Sequence, residues 1–154
     1  MKRIVICCDG TWNTSEQGHP TNVVKVRDAA LRRLPDGTEQ AIYYHDGVGT
    51  RSWIDRLPGG IFGAGLWQNV QSVYEYLVEH FEAGDELFFF GFSRGAYTAR
   101  SVVGMVRKCG ILRKEEIGRI QEAYDLYRNR RIKPDGGDAQ DYLMPSKESR
   151  RREP

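Results

Sequence analysis

Long apolar runs, cysteine pairs and an excess of charge of either sign are all missing from this sequence. Nothing approaches the ~18 consecutive apolar residues of a membrane-spanning helix. The opening "MKRIVICCDG" mimics a signal peptide only briefly. Its apolar run, Ile4 to Cys8, is shorter than the roughly seven to fifteen residues of a signal core, and Asp9 ends it without a small-residue cleavage site. The three cysteines, Cys7, Cys8 and Cys109, are odd in number and form no C-x-x-C pair for zinc or redox work. They read as buried free thiols in a reducing compartment. With 23 Lys and Arg against 21 Asp and Glu, the net charge is +2. No basic stripe announces nucleic acid, and no acidic tail announces a disordered solvating segment. Histidine is scarce too: His19, His45 and His80 are the only three, and none lies beyond position 80. The expectation is a cytoplasmic chain with no transmembrane segment, no nucleic-acid partner, no cofactor and no metal.

What is there reads as one α/β domain. A chain of 154 residues falls in the usual single-domain range of roughly 100–200 and can bury about two-thirds of its unfolded surface. Ile4 to Cys8 is a β-branched apolar run ended by "DGTWN", a strand. In "TNVVKVRDAALRRLPDG", Thr21 or Asn22 can cap a helix whose Val23, Val26, Ala30 and Leu34 recur at helical spacing until Pro35 to Gly37 stop it. "QAIYYHDGVG" is a second strand, closed by Asp46 and Gly47, and residues 51–65 read as a loop. Leu66, Val70, Val73, Tyr74, Leu77, Val78 and Phe81 make an amphipathic helix. Glu86 to Phe90 is a third strand. Helices follow over Arg94 to Lys108, with Cys109-Gly110 as C-cap, and over Lys114 to Arg131, with Ile117, Ile120, Tyr124 and Tyr127 on one face. The alternation predicts a mostly parallel sheet with flanking helices, of which three strands are readable. Residues 1–133 form this domain, and the polar stretch 134–154 reads as a disordered tail.

The chemistry concentrates in "FFFGFSRGAY", residues 88–97. G-x-S-x-G alone is weak evidence, but here a buried strand precedes it and a helix follows. Ser93 then sits on a tight strand-to-helix turn. Gly91 and Gly95 lack side chains, so strand end and helix start can approach closely around a strained serine. The Arg94 N–H, at the helix N-terminus, would face an oxyanion on a substrate attacked by Ser93. The competing reading is that Ser93 is an N-cap. Two flanking glycines exceed what a cap needs, so the nucleophile elbow is preferred.

Together with "IVICCDGTWN", "VGT" and "GAGLWQNVQSVYEYL", the block "GDELFFFGFSRGAYTAR" resembles, in order and spacing, the catalytic domains of Tle-type lipase effectors of bacterial type VI secretion. The resemblance covers about residues 3–145. It implies a partial α/β-hydrolase fold and a serine hydrolase of lipid esters, a phospholipase, exported without a signal peptide. Ser93 matches the nucleophile. The "DGTWN" loop matches the segment beside the active site, where Gly10 and Thr11 would offer the second oxyanion N–H. The implied substrate is a lipid or other ester.

A serine hydroxyl needs a base to take its proton and a carboxylate to orient that base. In α/β-hydrolases the order along the chain is Ser, then Asp or Glu, then His. Nine carboxylates follow Ser93, but no histidine does. In the resembled family a Val-Trp-Asp-type block and a histidine come after the point where this sequence stops. The expectation is a truncated or split catalytic domain, weakly active or inactive alone, with its second half on another chain or absent. His45, ending a strand at the site edge next to Asp46, is the first upstream suspect, although a plain strand-end histidine is the simpler reading. His80 suits a helix C-terminus, and His19 sits in a polar loop.

Other motifs carry less. In "ICCDGT", Cys7 stands where a haloacid-dehalogenase-type phosphatase needs its nucleophilic Asp. "GGIFGAG" has the wrong glycine order for a dinucleotide loop and follows Pro58, not a strand; a weak anion site at the start of either following helix stays open. Asp9, at a strand's C-terminal end, suits a metal or a substrate hydroxyl, or equally an Asx turn onto Thr11. Trp12, Trp53 and Trp67 read as packing before lipid contact, and Arg150 to Arg152 as a solvated terminus. The alternative to an enzyme is a non-catalytic module that uses the Ser93 turn to bind a phosphate or ester, or binds a partner through its open sheet edge.

Overall fold

Both faces of the run from Ile4 to Cys8 are apolar, and its place in the sheet accounts for that. The computed structural model describes residues 1–10, 19–47 and 62–131. In it β1, Arg3–Cys8, is the centre of a three-stranded sheet, buried from Ile4 onward. β2, Gln40–His45, flanks it on one side and β3, Glu86–Gly91, on the other, both parallel to it. A central parallel strand is covered on both faces, so it is a continuous apolar run.

The crossover helices take opposite faces. α1, Asn22–Ala29, covers one side, where Val23 packs with Val5 and Cys7 and against Ile42 and Tyr44. α2, Phe62–His80, α3, Arg94–Cys109, and α4, Ile120–Arg128, cover the other, around Ile4, Ile6, Cys8, Tyr74, Leu77, Val102 and Met105. Fully burying each such aliphatic side chain contributes about 1.5–3 kcal/mol relative to exposure. Strand order β2-β1-β3 means the chain steps one way from β1 to β2, then jumps back across β1 to β3. The sheet therefore has a topological switch point between the C-terminal ends of β1 and β3, where open α/β sheets form a crevice.

Two buried polar side chains tie the helical layer together. The Tyr74 hydroxyl donates to Gly110 O (3.0 Å) and accepts from Leu112 N (3.2 Å), fixing the turn where α3 ends at Gly110, φ 74°. Lys108, 5% exposed, donates through Nζ to Tyr127 O (3.2 Å) and Asn129 O (2.5 Å). A cation at the C-terminus of α4 satisfies the last carbonyls and suits the helix dipole.

Three element boundaries differ from expectation. α1 ends at Ala29 instead of reaching Leu34, since Arg33 and Glu39 form a bridge and Leu34 joins a turn with Gly37 and Thr38. α2 begins at Phe62, inside the expected 51–65 loop, of which 51–61 lie outside the described residues. The last helix splits into a 3-10 segment, Lys114–Arg119, and α4; Gly118 weakens the helix there, and Ile117 stays exposed. The tail at 134–154 lies outside the described residues. On the α1 side of β3, Phe88 and Phe90 stay 39% and 38% exposed, although α1 approaches β3 as well as β1.

Candidate active site

Ser93 lies just past the C-terminal end of β3 and immediately before α3, on the switch-point edge. Its backbone has φ 53° and ψ −124°, and among the described residues no other non-glycine has positive φ. Such a conformation costs on the order of 1–3 kcal/mol and persists only where its surroundings enforce it. The enforcement is visible. A Cβ on Gly95 would overlap the backbone carbonyls of Cys8 and Asp9, and one on Gly91 would come within 2.5 Å of Ala96 Cα. Phe92 N–H donates to Cys8 O (3.1 Å), pinning the turn to the end of β1. The N-cap reading fails on two counts: an N-cap has extended backbone and an accepting side chain. Ser93 has neither, since its hydroxyl makes no capping bond, and its side is open to solvent.

Asp9, 1% exposed, sits beside this turn, immediately after β1. Its carboxylate accepts from Gly10 N–H (2.8 Å), from the Thr21 hydroxyl (2.6 Å) and from the Tyr44 hydroxyl (3.0 Å). Thr21 also caps α1 by accepting from Val24 N–H (3.2 Å). Burial, reinforced by the bond to Asp9, pushes the Tyr44 phenol well up, so it remains a donor. The carboxylate is thus occupied by neutral donors that tie the β1 loop to α1 and β2. Gly10 N–H is directed at Asp9 rather than at Ser93, and Thr11 lies outside the described residues. Thr21 and Tyr44 are the partners that sequence reasoning missed. They come from distant segments, and only the two-residue alternation placing Tyr44 on the α1 face hinted at one of them.

His45 ends β2. Cys8 pairs with both His45 and Gly91, so these two stand level with one strand between them, about 9–10 Å apart at Cα. Tyr43 and His45 share the face that carries α3, their rings 6.4 Å apart. Burial lowers the His45 pKa from its usual 6.5, against a smaller opposing effect of Asp46. The ring is therefore neutral near pH 7, the form a base needs. As pH falls through about 6.5 the unfolded chain takes the proton first, so His45 makes stability fall below that pH and leaves it intact above. Melting temperature between about pH 7 and pH 5 is expected to drop more steeply for the wild type than for His45→Gln; equal slopes would refute the half-buried, neutral ring.

His80 donates through Nδ1–H to Tyr76 O (2.9 Å) and stacks on the Tyr76 ring (4.0 Å) at the end of α2. His19 is exposed. Trp67 stacks on Tyr124 at 3.6 Å, whereas Trp12 and Trp53 lie outside the described residues. Among the described residues no three His, Cys, Asp or Glu side chains are grouped to hold a metal, and no helix is long and apolar enough to cross a membrane. Asp9, Gly10, Gly91, Ser93, Arg94 and Gly95 converge at one edge; His45 stands one strand away.

The family model of the type VI secretion phospholipase effector Tle1-like catalytic domain matches residues 2–153. The chain belongs to this family. An uncharacterized protein of Saccharomyces cerevisiae, YEL023C, is similar at 32% identity over 140 residues, covering 82% of this chain. The chain spans 20% of that relative's length. No solved structure matches the chain.

Proposed function

We propose that Ser93 is the nucleophile of a serine ester hydrolase acting on lipid esters, a phospholipase of the type VI lipase-effector kind. The observation that carries this is the Ser93 backbone at φ 53°, ψ −124°, between a strand end and a helix start, with its hydroxyl uncommitted to a cap. Strain of this kind exposes the Oγ above the sheet edge. Attack on an ester carbonyl forms an Oγ–C bond and moves the electron pair onto the carbonyl oxygen. The Arg94 N–H, first in α3, would donate to that oxyanion, helped by the positive end of the helix. Collapse expels the alcohol with the proton taken from Ser93, and water then hydrolyses the acyl-serine.

Among the described residues no His–carboxylate relay bonds Ser93, which favours low intrinsic activity. Without one triad member, oxyanion hole and binding alone retain a residual acceleration of about 10³–10⁴ over water. Incubation with a fluorophosphonate probe is expected to label the chain slowly, with fluoride leaving as Oγ–P forms, and Ser93→Ala is expected to abolish it. Labelling that persists in Ser93→Ala, or none from folded protein, would leave the non-catalytic binding module. That second reading has one observation of its own: Phe88 and Phe90 stand exposed on β3, whose outer edge pairs with no strand among the described residues.

A further inference from the structure

A cavity of about 770 Å³ opens between α2, α3 and α4. Trp67, Tyr97, Tyr124, Asp125, Tyr127 and Arg128 are among its lining residues. Its size falls within the roughly 300–1,000 Å³ of small-molecule sites. Tyr97 joins it to the serine turn: it lies four residues after Ser93, about 6 Å along the helix axis, its N–H donates to Ser93 O (3.3 Å), and the residue is 60% exposed.

The lining is preorganised and carries both charge signs. Tyr124 is held by Trp67 at 3.6 Å, and the Arg128 guanidinium lies 5.7 Å from the Tyr124 ring centroid. Gln121 donates to Asp125 Oδ1 (3.0 Å), orienting that carboxylate. An alkyl chain here would strip water from a carboxylate and a guanidinium without replacing their hydrogen bonds, at considerable cost. A ligand with an anionic and a cationic group offers a partner to each, and exposed aromatic faces attract ammonium groups as well.

We propose that this cavity is a headgroup subsite for a phosphodiester bearing an ammonium group, with Arg128 facing the phosphate and Asp125 the ammonium. The assignment rests on the reading of Ser93 as a lipid-ester nucleophile for its biological setting, but it is tested by binding alone. Calorimetric titration of the full chain with sn-glycero-3-phosphoethanolamine, which has no acyl ester to cleave, is expected to saturate. Arg128→Gln is expected to weaken binding about tenfold, and Asp125→Asn to weaken it similarly while sparing whatever binding inorganic phosphate shows. Both side chains are exposed, so the variants should keep the wild-type circular dichroism and melting. Ser93→Ala is expected to bind as the wild type does.

A short-chain diacylphosphatidylethanolamine, kept below its micelle concentration with Ser93→Ala, is expected to bind more tightly than the bare headgroup, because its esters reach the serine turn. Equal affinities would overturn the link to Ser93. Inorganic phosphate binding as tightly as the headgroup would leave a plain anion site and overturn the proposal, as would no saturation or unchanged affinity in both charge variants. Labelled Ser93 with no headgroup binding discards the subsite alone. Headgroup binding with no labelling discards the catalytic reading alone.

Discussion

Gly95→Ala is expected to destabilise the fold by on the order of 3–4 kcal/mol, near the top of the range for a single methyl group. For a chain of this size that lowers the melting temperature by about 10 °C. The reason is the identity of the clashing atoms. The new Cβ meets the backbone carbonyls of Cys8 and Asp9, at the end of the central strand, and no side chain can swing aside to make room. Relief requires α3 to lift from β1, and the lift unlocks the Ser93 turn held against Cys8 O. Thermal melting and fluorophosphonate labelling should therefore fall together. Gly118→Ala is the contrasting variant: its Cβ meets nothing within 4 Å, so stability should rise by up to about 1 kcal/mol through loss of unfolded-state freedom. If Gly95→Ala melts like the wild type, the close approach of α3 to β1 is wrong.

The second large effect belongs to Asp9. Asp9→Ala removes the acceptor shared by Gly10 N–H, the Thr21 hydroxyl and the Tyr44 hydroxyl, in a site where Asp9 itself is 1% exposed. Leaving buried donors without a partner costs about 1–3 kcal/mol each where water cannot enter. Because Thr21 and Tyr44 are partly accessible, a total of about 3–4 kcal/mol is expected by urea unfolding. Tyr44→Phe and Thr21→Val remove one donor each and should cost about 1 kcal/mol. The three residues share one carboxylate, so the single effects should not add. A loss below 1 kcal/mol for Asp9→Ala would show that water replaces the carboxylate, and the loop after β1 would then lack its anchor.

Short-range signals carried much of the architecture. The strands were legible because a central parallel strand must be apolar on both faces, as Ile4 to Cys8 is, and the flanking glycines and aspartates mark its end. α3 was legible at both ends: G-x-S-x-G before it, and Gly110 with φ 74° after it. The helix at Lys114 was misjudged because Ile117, Ile120, Tyr124 and Tyr127 keep helical spacing across Gly118, while the chain tightens into 3-10 geometry before Ile120. In the site, the serine turn is local and could be read from ten residues. The grip on Asp9 joins residues 12 and 35 positions away, and the Lys108 contacts with Tyr127 and Asn129 are equally non-local. No periodicity encodes such pairs. The cavity between α2, α3 and α4 was illegible for the same reason: its rings look like ordinary core positions until three helices bring them together.

The three cysteines have a practical consequence. Cys7 and Cys8 sit in the central strand and Cys109 at the end of α3, each at most 1% exposed. Burial raises their thiols to about 11, 12 and 11. Only thiolates react quickly with alkylating reagents, so the folded chain should be nearly inert to them, whereas each transient opening frees thiols of ordinary acidity. The rate at which iodoacetamide consumes Cys7 and Cys8 is therefore a built-in clock for opening of the sheet. Cys109, whose Sγ faces Ala123 O at 3.3 Å, times the parting of α3 from α4. Mass spectrometry of the alkylated chain can read both clocks in one experiment, and comparing them shows whether the helical layer comes away before the strands do.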